Sequence, residues 1–266
     1  MRRKILGVSV DLLEPGEAID KIEKYGSSIP DRYFVVTAYS EFFVLANKDK
    51  EFMDVINKAN LVTPDGVSVL AAAKFIDLFD GSSLIKKLFG GLHVGSLVFR
   101  GKVGNTVTGV WLFNQLCEIA AKKGKRVFLL GGWNGVASKV TRILLKRYPD
   151  LEIAYDEGEK QVGTDLEVNE RVISKINKFK PHYLFVAYNP VKQEKWIARH
   201  LNRLSVGTVI GVGGTYNEFV GDLPGAPRWA RKAGLTWAWR LVLEPKRWKR
   251  ILRAVIEFPW LVFKSC

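Results

Sequence analysis

An α/β fold built on a mainly parallel sheet with helices on both faces is what this sequence predicts, from three observations. Short β-branched or aromatic runs alternate with longer stretches of helical periodicity through most of the 266 residues. Those runs end repeatedly in glycine or polar turns, the place where open parallel sheets put their ligand crevice. The alternation stops near Leu223, where Pro224, Gly225 and Pro227 mark a boundary. Residues 1–223 therefore read as one domain and 224–266 as an appendage.

In chain order, Ile5–Val10 and Tyr33–Val36 read as strands flanking a helix over Gly16–Tyr25. Helices follow over Ser40–Asn47 and Glu51–Lys58, then a strand over Asn60–Thr63 closed by Pro64-Asp65-Gly66 and a helix over Val67–Phe75. The segment Gly81–Thr106 interrupts the rhythm: it has no acidic residue, many glycines, Lys86, Lys87, Arg100 and Lys102, and apolar Leu84, Leu88, Phe89, Leu97 and Phe99. It reads as a surface insertion in loop form, with a β-hairpin as the plain alternative; such an apolar, basic loop suits a binding or membrane-facing surface. Helices at Trp111–Lys122, Val136–Tyr148, Leu166–Lys178 and Glu194–Leu204 then alternate with strands at Arg126–Leu130, Leu151–Tyr155, Tyr183–Ala187 and Thr208–Val212.

The composition, 47% hydrophobic and 26% charged, is that of an ordinary globular chain, but a net charge of +14 calls for an anionic partner. From Gly225 onward there are ten Lys or Arg against Glu244 and Glu257 alone, together with five of the eight tryptophans. Trp mixed with Lys and Arg favours a membrane–water interface. Cys117 and Cys266 form no CxxC pair, consistent with a reducing cytosol. The apolar run of the N-terminus stops at Asp11, too early for a signal peptide, and no stretch reaches the ~18 apolar residues of a spanning helix, so membrane contact is expected to be peripheral.

Two glycine turns stand out. Gly131-Gly132 precedes the helix beginning at Val136, and Gly213-Gly214 follows the last strand of the domain. Free N–H groups in such turns suit a phosphate, although turn geometry alone accounts for glycine there equally well. Asp65 lies just beyond a strand, between a proline and a glycine, where a carboxylate could take a proton from a substrate hydroxyl. Its plain alternative is an N-cap for the helix at Val67. Thr37 and the turn Tyr188–Gln193 fall at equivalent strand ends. Three scattered histidines, no HExxH and no Asp-x-Asp give no metal site, and no cofactor is expected. After Glu244-Pro245, Trp248, Ile251, Leu252, Val255 and Phe258 share one helical face, and Lys246, Arg247, Lys249, Arg250 and Arg253 the other. This reads as one amphipathic helix, docked on the domain or on a membrane.

These stretches resemble the WecG/TagA/CpsF group, glycosyltransferase family 26. The matching motifs are VTA-x-x-E at Val36–Glu41, PDG at Pro64–Gly66, VTG at Val107–Gly109, FLLGG-x-x-GVA at Phe128–Ala137, KQEKWIAR at Lys192–Arg199, and GVGGT, APRW, GL-x-W and EP-[KR]-R toward the C-terminus. The similarity covers most of the chain apart from Gly81–Thr106. It implies a Rossmann-like domain and a metal-independent, inverting transfer from a UDP-sugar to a polyprenyl-diphosphate-linked saccharide, at the cytoplasmic face of the membrane. Carried over, Asp65 becomes the general base with Thr37 beside it. Gln193 contacts the donor, the Gly213–Asn217 turn holds the uridine end, and Arg240, Arg247 and Arg250 neutralise the diphosphate. Three positions depart from the family's usual pattern: Tyr39 replaces Asn in the substrate pocket, Val191 replaces the proline before KQE, and Asn217 replaces Asp. The expected partners are the donor, the lipid-linked acceptor and an anionic membrane surface, without nucleic acid; a homo-oligomer is compatible with the reading.

Two other classes fit parts of the sequence. A nicotinamide-dependent oxidoreductase would use the two glycine turns but lacks GxGxxG at the first strand. A nucleic-acid-binding protein would use the basic aromatic tail, through salt-dependent contacts with phosphates.

Overall fold

The computed structural model describes residues 1–160, 165–221, 225–227, 229–230, 235–245 and 248–266, without the side chains of Thr236 and Arg240. The predicted boundary at Leu223 lies outside these residues. The chain opens with an antiparallel hairpin, β1 (Arg2–Ile5) and β2 (Val8–Asp11), where a single strand was expected. Leu6 and Gly7 both take positive φ, +45° and +86°, and so form the two-residue turn whose twist suits a hairpin. Asp11 ties this hairpin to the main sheet by accepting a 3.0 Å hydrogen bond from the Val62 N–H.

After α1 (Pro15–Tyr25) come β3 (Tyr33–Ala38), α2 (Ser40–Lys48), α3 (Lys50–Asn57), β4 (Leu61–Pro64), α4 (Val67–Phe79) and α5 (Leu84–Phe99). Next are α6 (Gly109–Lys123), β5 (Val127–Gly131), α7 (Val136–Arg147), β6 (Ile153–Asp156), α8 (Leu166–Phe179), β7 (Tyr183–Ala187), α9 (Lys192–His200), β8 (Thr208–Gly211) and α10 (Thr215–Phe219). Strands β3 to β8 make one six-stranded sheet in the order β4-β3-β8-β7-β5-β6, parallel throughout. Strands buried on both faces read as continuous apolar runs, which is why YFVVTA and YLFVA stood out. One core layer packs helices α2, α3, α4, α8 and α9 on the sheet, and the other packs α1, α6 and α7, with Phe43, Phe52 and Trp196 in the first and Phe113, Leu116 and Val140 in the second.

The segment Gly81–Thr106 is not a loop or a hairpin. Its centre is the sixteen-residue α5, which lies on α4 with Gly90 against the ring of Phe79. Leu84, Ile85, Leu88, Phe89, Leu92 and Phe99 remain exposed on its outer side. A helix apolar on nearly every side carries no amphipathic period, so the sequence pattern gave no signal for it.

Beyond Leu243 the predicted helix is present as an unbroken helical run over residues 248–265, but its apolar and basic faces differ from those expected. The helices α11 (Thr236–Leu243), α12 (Trp248–Leu252) and α13 (Phe258–Ser265) follow one another, with a π-helical turn over Arg253–Glu257 between the last two. Pro259, which has no N–H to give to the preceding turn, sits at the start of α13 where this irregularity ends. Phe258 and Val262 are buried against the domain, with the Phe258 ring 5.3 Å from that of Phe43. The expected faces are redistributed accordingly: Trp248 and Leu252 are exposed, whereas Arg250 and Arg253 turn inward to Glu41. The predicted helix start at Glu244-Pro245 adjoins Lys246 and Arg247, which lie outside the described residues.

Candidate active site

At the C-terminal rim of the sheet the strand ends open into a cavity of about 1520 Å³. Thr37 and Tyr39 reach it from the end of β3, Asp65 from β4, Gly132 from β5, and Gln193 from the start of α9. Gly213, Gly214 and Asn217 reach it from β8 and α10, and Arg250 from α12. Nine of the twelve predicted site residues thus meet in one space. Gly131 is not among its lining: it has a φ of +88°, and a Cβ there would stand 2.5 Å from the Ala187 carbonyl oxygen, so packing between β5 and β7 demands the glycine. The side chain of Arg240 and the whole of Arg247 lie outside the described residues.

Asp65 does not cap the helix that follows it. The N-cap of α4 is Gly66, whereas Asp65 Oδ2 accepts a 3.0 Å hydrogen bond from the Gly109 N–H, the first residue of α6. The stretch before α6 is zipped to β4: the Val107 N–H donates to the Pro64 carbonyl at 3.0 Å, and Thr63 Oγ1 donates to the Val107 carbonyl at 3.0 Å. Thr108 then caps α6 by accepting from the Trp111 N–H at 3.2 Å. The carboxylate of Asp65 therefore meets the positive end of a fifteen-residue helix, where negative charge is favoured. Gly109 leaves open the point at which three oxygens converge. A Cβ there would lie 3.3 Å from Thr37 Oγ1, 3.3 Å from Thr215 Oγ1 and 3.6 Å from Asp65 Oδ2. The VTG motif carried this residue, but its meaning depends on a contact 44 positions away.

On the opposite wall Gln193 is held rigidly. Its Nε2 donates to Glu194 Oε1 at 2.7 Å and its Oε1 accepts from the Gly213 N–H at 2.9 Å. Glu194 is 1% exposed, and burial pushes its carboxyl up to about 7 against the hydrogen bonds that favour the ionised form. One of those bonds comes from the Val191 N–H at 2.7 Å, which a proline at that position could not donate. Val191 itself holds a φ of +71°, an uncommon and strained value for a β-branched residue.

Arg250 lines the cavity while paired. Its Nε lies 2.7 Å from Glu41 Oε2 and its Nη2 contacts the Tyr39 hydroxyl, which donates to the same carboxylate at 3.0 Å. Arg253 Nη1 reaches Glu41 Oε1 at 3.1 Å. Glu41, the buried acid of the VTA-x-x-E motif, therefore fastens the basic tail to the rim; the sequence separation of 209 residues hid this. Burial pushes the Tyr39 phenol up, so it stays protonated at neutral pH. Trp133 is a further lining residue the sequence reading passed over. It stacks on Tyr188 at 5.8 Å, and its buried Nε1 has no hydrogen-bond partner among the described residues. Among the described residues no group of three or more His, Cys, Asp or Glu could hold a metal ion, and no helix is long and apolar enough to cross a membrane.

The chain matches the family described as "Glycosyl transferase WecG/TagA/CpsF family" over residues 3–93 and 89–266. The two matched segments meet inside α5, so the resemblance includes the stretch Gly81–Thr106 that the motifs had left out. Similar proteins from Staphylococcus aureus strains NCTC 8325 / PS 47 and COL are each 28% identical to this chain over 264 residues, covering 98% of this chain and 92% of the relative. Each is named N-acetylglucosaminyldiphosphoundecaprenol N-acetyl-beta-D-mannosaminyltransferase.

Proposed function

The chain belongs to the WecG/TagA/CpsF family of glycosyltransferases, and we propose that it moves one hexosyl unit from a UDP-sugar to a saccharide carried on a polyprenyl diphosphate, with inversion at the anomeric carbon. The observation that carries the reading is the shared cavity: Asp65, the helix start that receives it, the Gln193–Gly213 clamp and Arg250 face one another there. The names of the Staphylococcus aureus relatives support the acceptor class and make N-acetylmannosamine the first donor sugar to test.

In the proposed reaction the acceptor hydroxyl gives its proton to Asp65 as its oxygen bonds to the anomeric carbon. The bond from that carbon to the distal phosphate oxygen breaks, and its electron pair leaves with UDP. Gln193 and the Gly213–Asn217 turn orient the donor. Arg250 meets the negative charge growing on the diphosphate, with Arg240 and Arg247 as the further cations, so no divalent ion is required. Thr37 sits beside the base, and Tyr39 and Gly132 complete the walls.

Membrane contact is peripheral in this account and made from the cytoplasmic side. Support comes from the tail, where Trp248, Leu252, Ile256 and Trp260 recur at four-residue spacing and are all exposed, with the exposed Lys249 and Lys264 among them. The test is a panel of UDP-N-acetylmannosamine, its uronic acid counterpart and UDP-glucose against N-acetylglucosaminyl-diphosphate-polyprenol, with and without chelator. Transfer from one donor, unaffected by chelator, is expected. No transfer from any of them removes the activity assigned here.

A further inference from the structure

The cavity is larger than one nucleotide-sugar needs. Sites for a single small ligand run to ~300–1,000 Å³, and this one, at about 1520 Å³, includes beyond the strand ends a lobe lined by α4, α5 and the C-terminal helices. From α4 it takes Ala71 and Phe75, and from α5 Gly91, Gly95 and Val98. Val255, Phe258 and Pro259 close the far side. The lining that α4, α5 and residues 254–263 contribute carries no charged side chain, and its one hydroxyl is Ser68. The charged lining residues Asp65, Glu218 and Arg250 all come from elsewhere.

The lobe is open space, not loose packing. A Cβ built on Gly91 or on Gly95 would find no heavy atom within 4 Å, and the two residues lie one turn apart on one face of α5. The outer wall of the lobe is itself apolar toward the exterior. Leu88, Phe89 and Leu92 are between 57% and 73% exposed, and no acid occurs from Gly81 to Thr106. A ligand lying in this lobe would have one end at the carboxylate and the guanidinium, and the other against hydrocarbon.

We propose that this lobe holds the first isoprenyl units of the acceptor's lipid, with the acceptor's saccharide toward Asp65 and its diphosphate between the two; the assignment rests on the acceptor class proposed above. A hydrocarbon chain gains from each methylene removed from water, whereas a sugar or a nucleotide would leave polar groups unpaired in this lobe. In this arrangement α5 and α13 form the mouth through which the chain reaches a bilayer.

The test replaces Gly91 or Gly95 by Leu. Both sites accept a Cβ without a clash, and leucine is the better helix former, so α5 is kept. Binding of geranylgeranyl diphosphate, geranyl diphosphate and UDP is measured by calorimetry for wild type, Gly91→Leu and Gly95→Leu. Wild type is expected to prefer the longer chain by at least about tenfold; the variants lose that preference and keep their UDP affinity within about twofold. Equal binding of the two chain lengths by wild type, or an undiminished preference in both variants, overturns the proposal. Transfer to an acceptor on a short geranyl chain separates this proposal from the activity itself. If wild type and variants turn it over alike, the transferase reading holds whatever becomes of the lobe. If the chain-length preference is seen without transfer to any acceptor, the lobe stands and the transferase reading falls.

Discussion

Replacing Glu41 by Ala removes the anion that anchors the tail to the rim. The carboxylate accepts from Arg250 at 2.7 Å, from Arg253 at 3.1 Å and from the Tyr39 hydroxyl at 3.0 Å, and its side chain is 4% exposed. Breaking a buried ion pair costs about 3–5 kcal/mol. The two guanidiniums are 36% and 38% exposed and can turn to water, which lowers the figure to about 2 kcal/mol. What still holds the tail is mainly the burial of Phe258 and Val262, about 1.5–3 kcal/mol each. Undocking of residues 248–266 is therefore the cheapest response, and 2 kcal/mol raises its population about thirtyfold. Limited trypsin digestion with mass analysis reads this directly, because Lys249, Arg250 and Arg253 are cut through the opened state when reclosing is fast. The expected result is about thirtyfold faster cleavage at these sites with the remainder of the domain intact. Arg250→Ala added to Glu41→Ala should then change cleavage at Lys249 and Arg253 little, since the pair is already broken. Cleavage within twofold of wild type would refute the anchoring role.

Two further predictions concern the walls of the cavity. Gly109→Ala places a methyl group 3.3 Å from Thr37 Oγ1 and 3.6 Å from Asp65 Oδ2, and is expected to cut transfer about tenfold while moving the melting temperature little; an unchanged rate would mean that the space is not used by the acceptor. Glu194 has its carboxyl raised from 4.5 to about 7, so the stability it contributes is fully present below pH 4.5 and is lost as pH rises through 7. Relative to Glu194→Gln, wild type should lose about 3 kcal/mol between pH 4.5 and pH 8 in urea unfolding. A difference constant with pH would show that the group titrates normally.

The sheet was legible because strands buried on both faces appear as uninterrupted apolar runs, and the rim residues Thr37, Asp65, Gln193 and Gly213 were legible because such runs end where they stand. The hairpin at the N-terminus was not, since Leu6-Gly7 lacks the Asn-Gly or Asp-Gly signature of its turn. Helix α5 escaped for the opposite reason to the strands, its apolar residues surrounding it without a period. Glu41 and Gly109 were visible as motif letters, yet their work is done through partners 209 and 44 residues away, which no local pattern encodes. The tail was read as amphipathic from spacing alone. The π-turn ahead of α13 shifts that spacing, and the pull of Glu41 brings Arg250 and Arg253 inward.

In the proposed reaction Asp65 takes the acceptor's proton from within the cavity that receives the nucleotide. Turnover and UDP affinity measured side by side for wild type and Asp65→Asn test it most directly. Transfer is expected to fall by about 10²–10⁴-fold with the UDP dissociation constant unchanged within about twofold. Transfer near the wild-type rate in Asp65→Asn would contradict it.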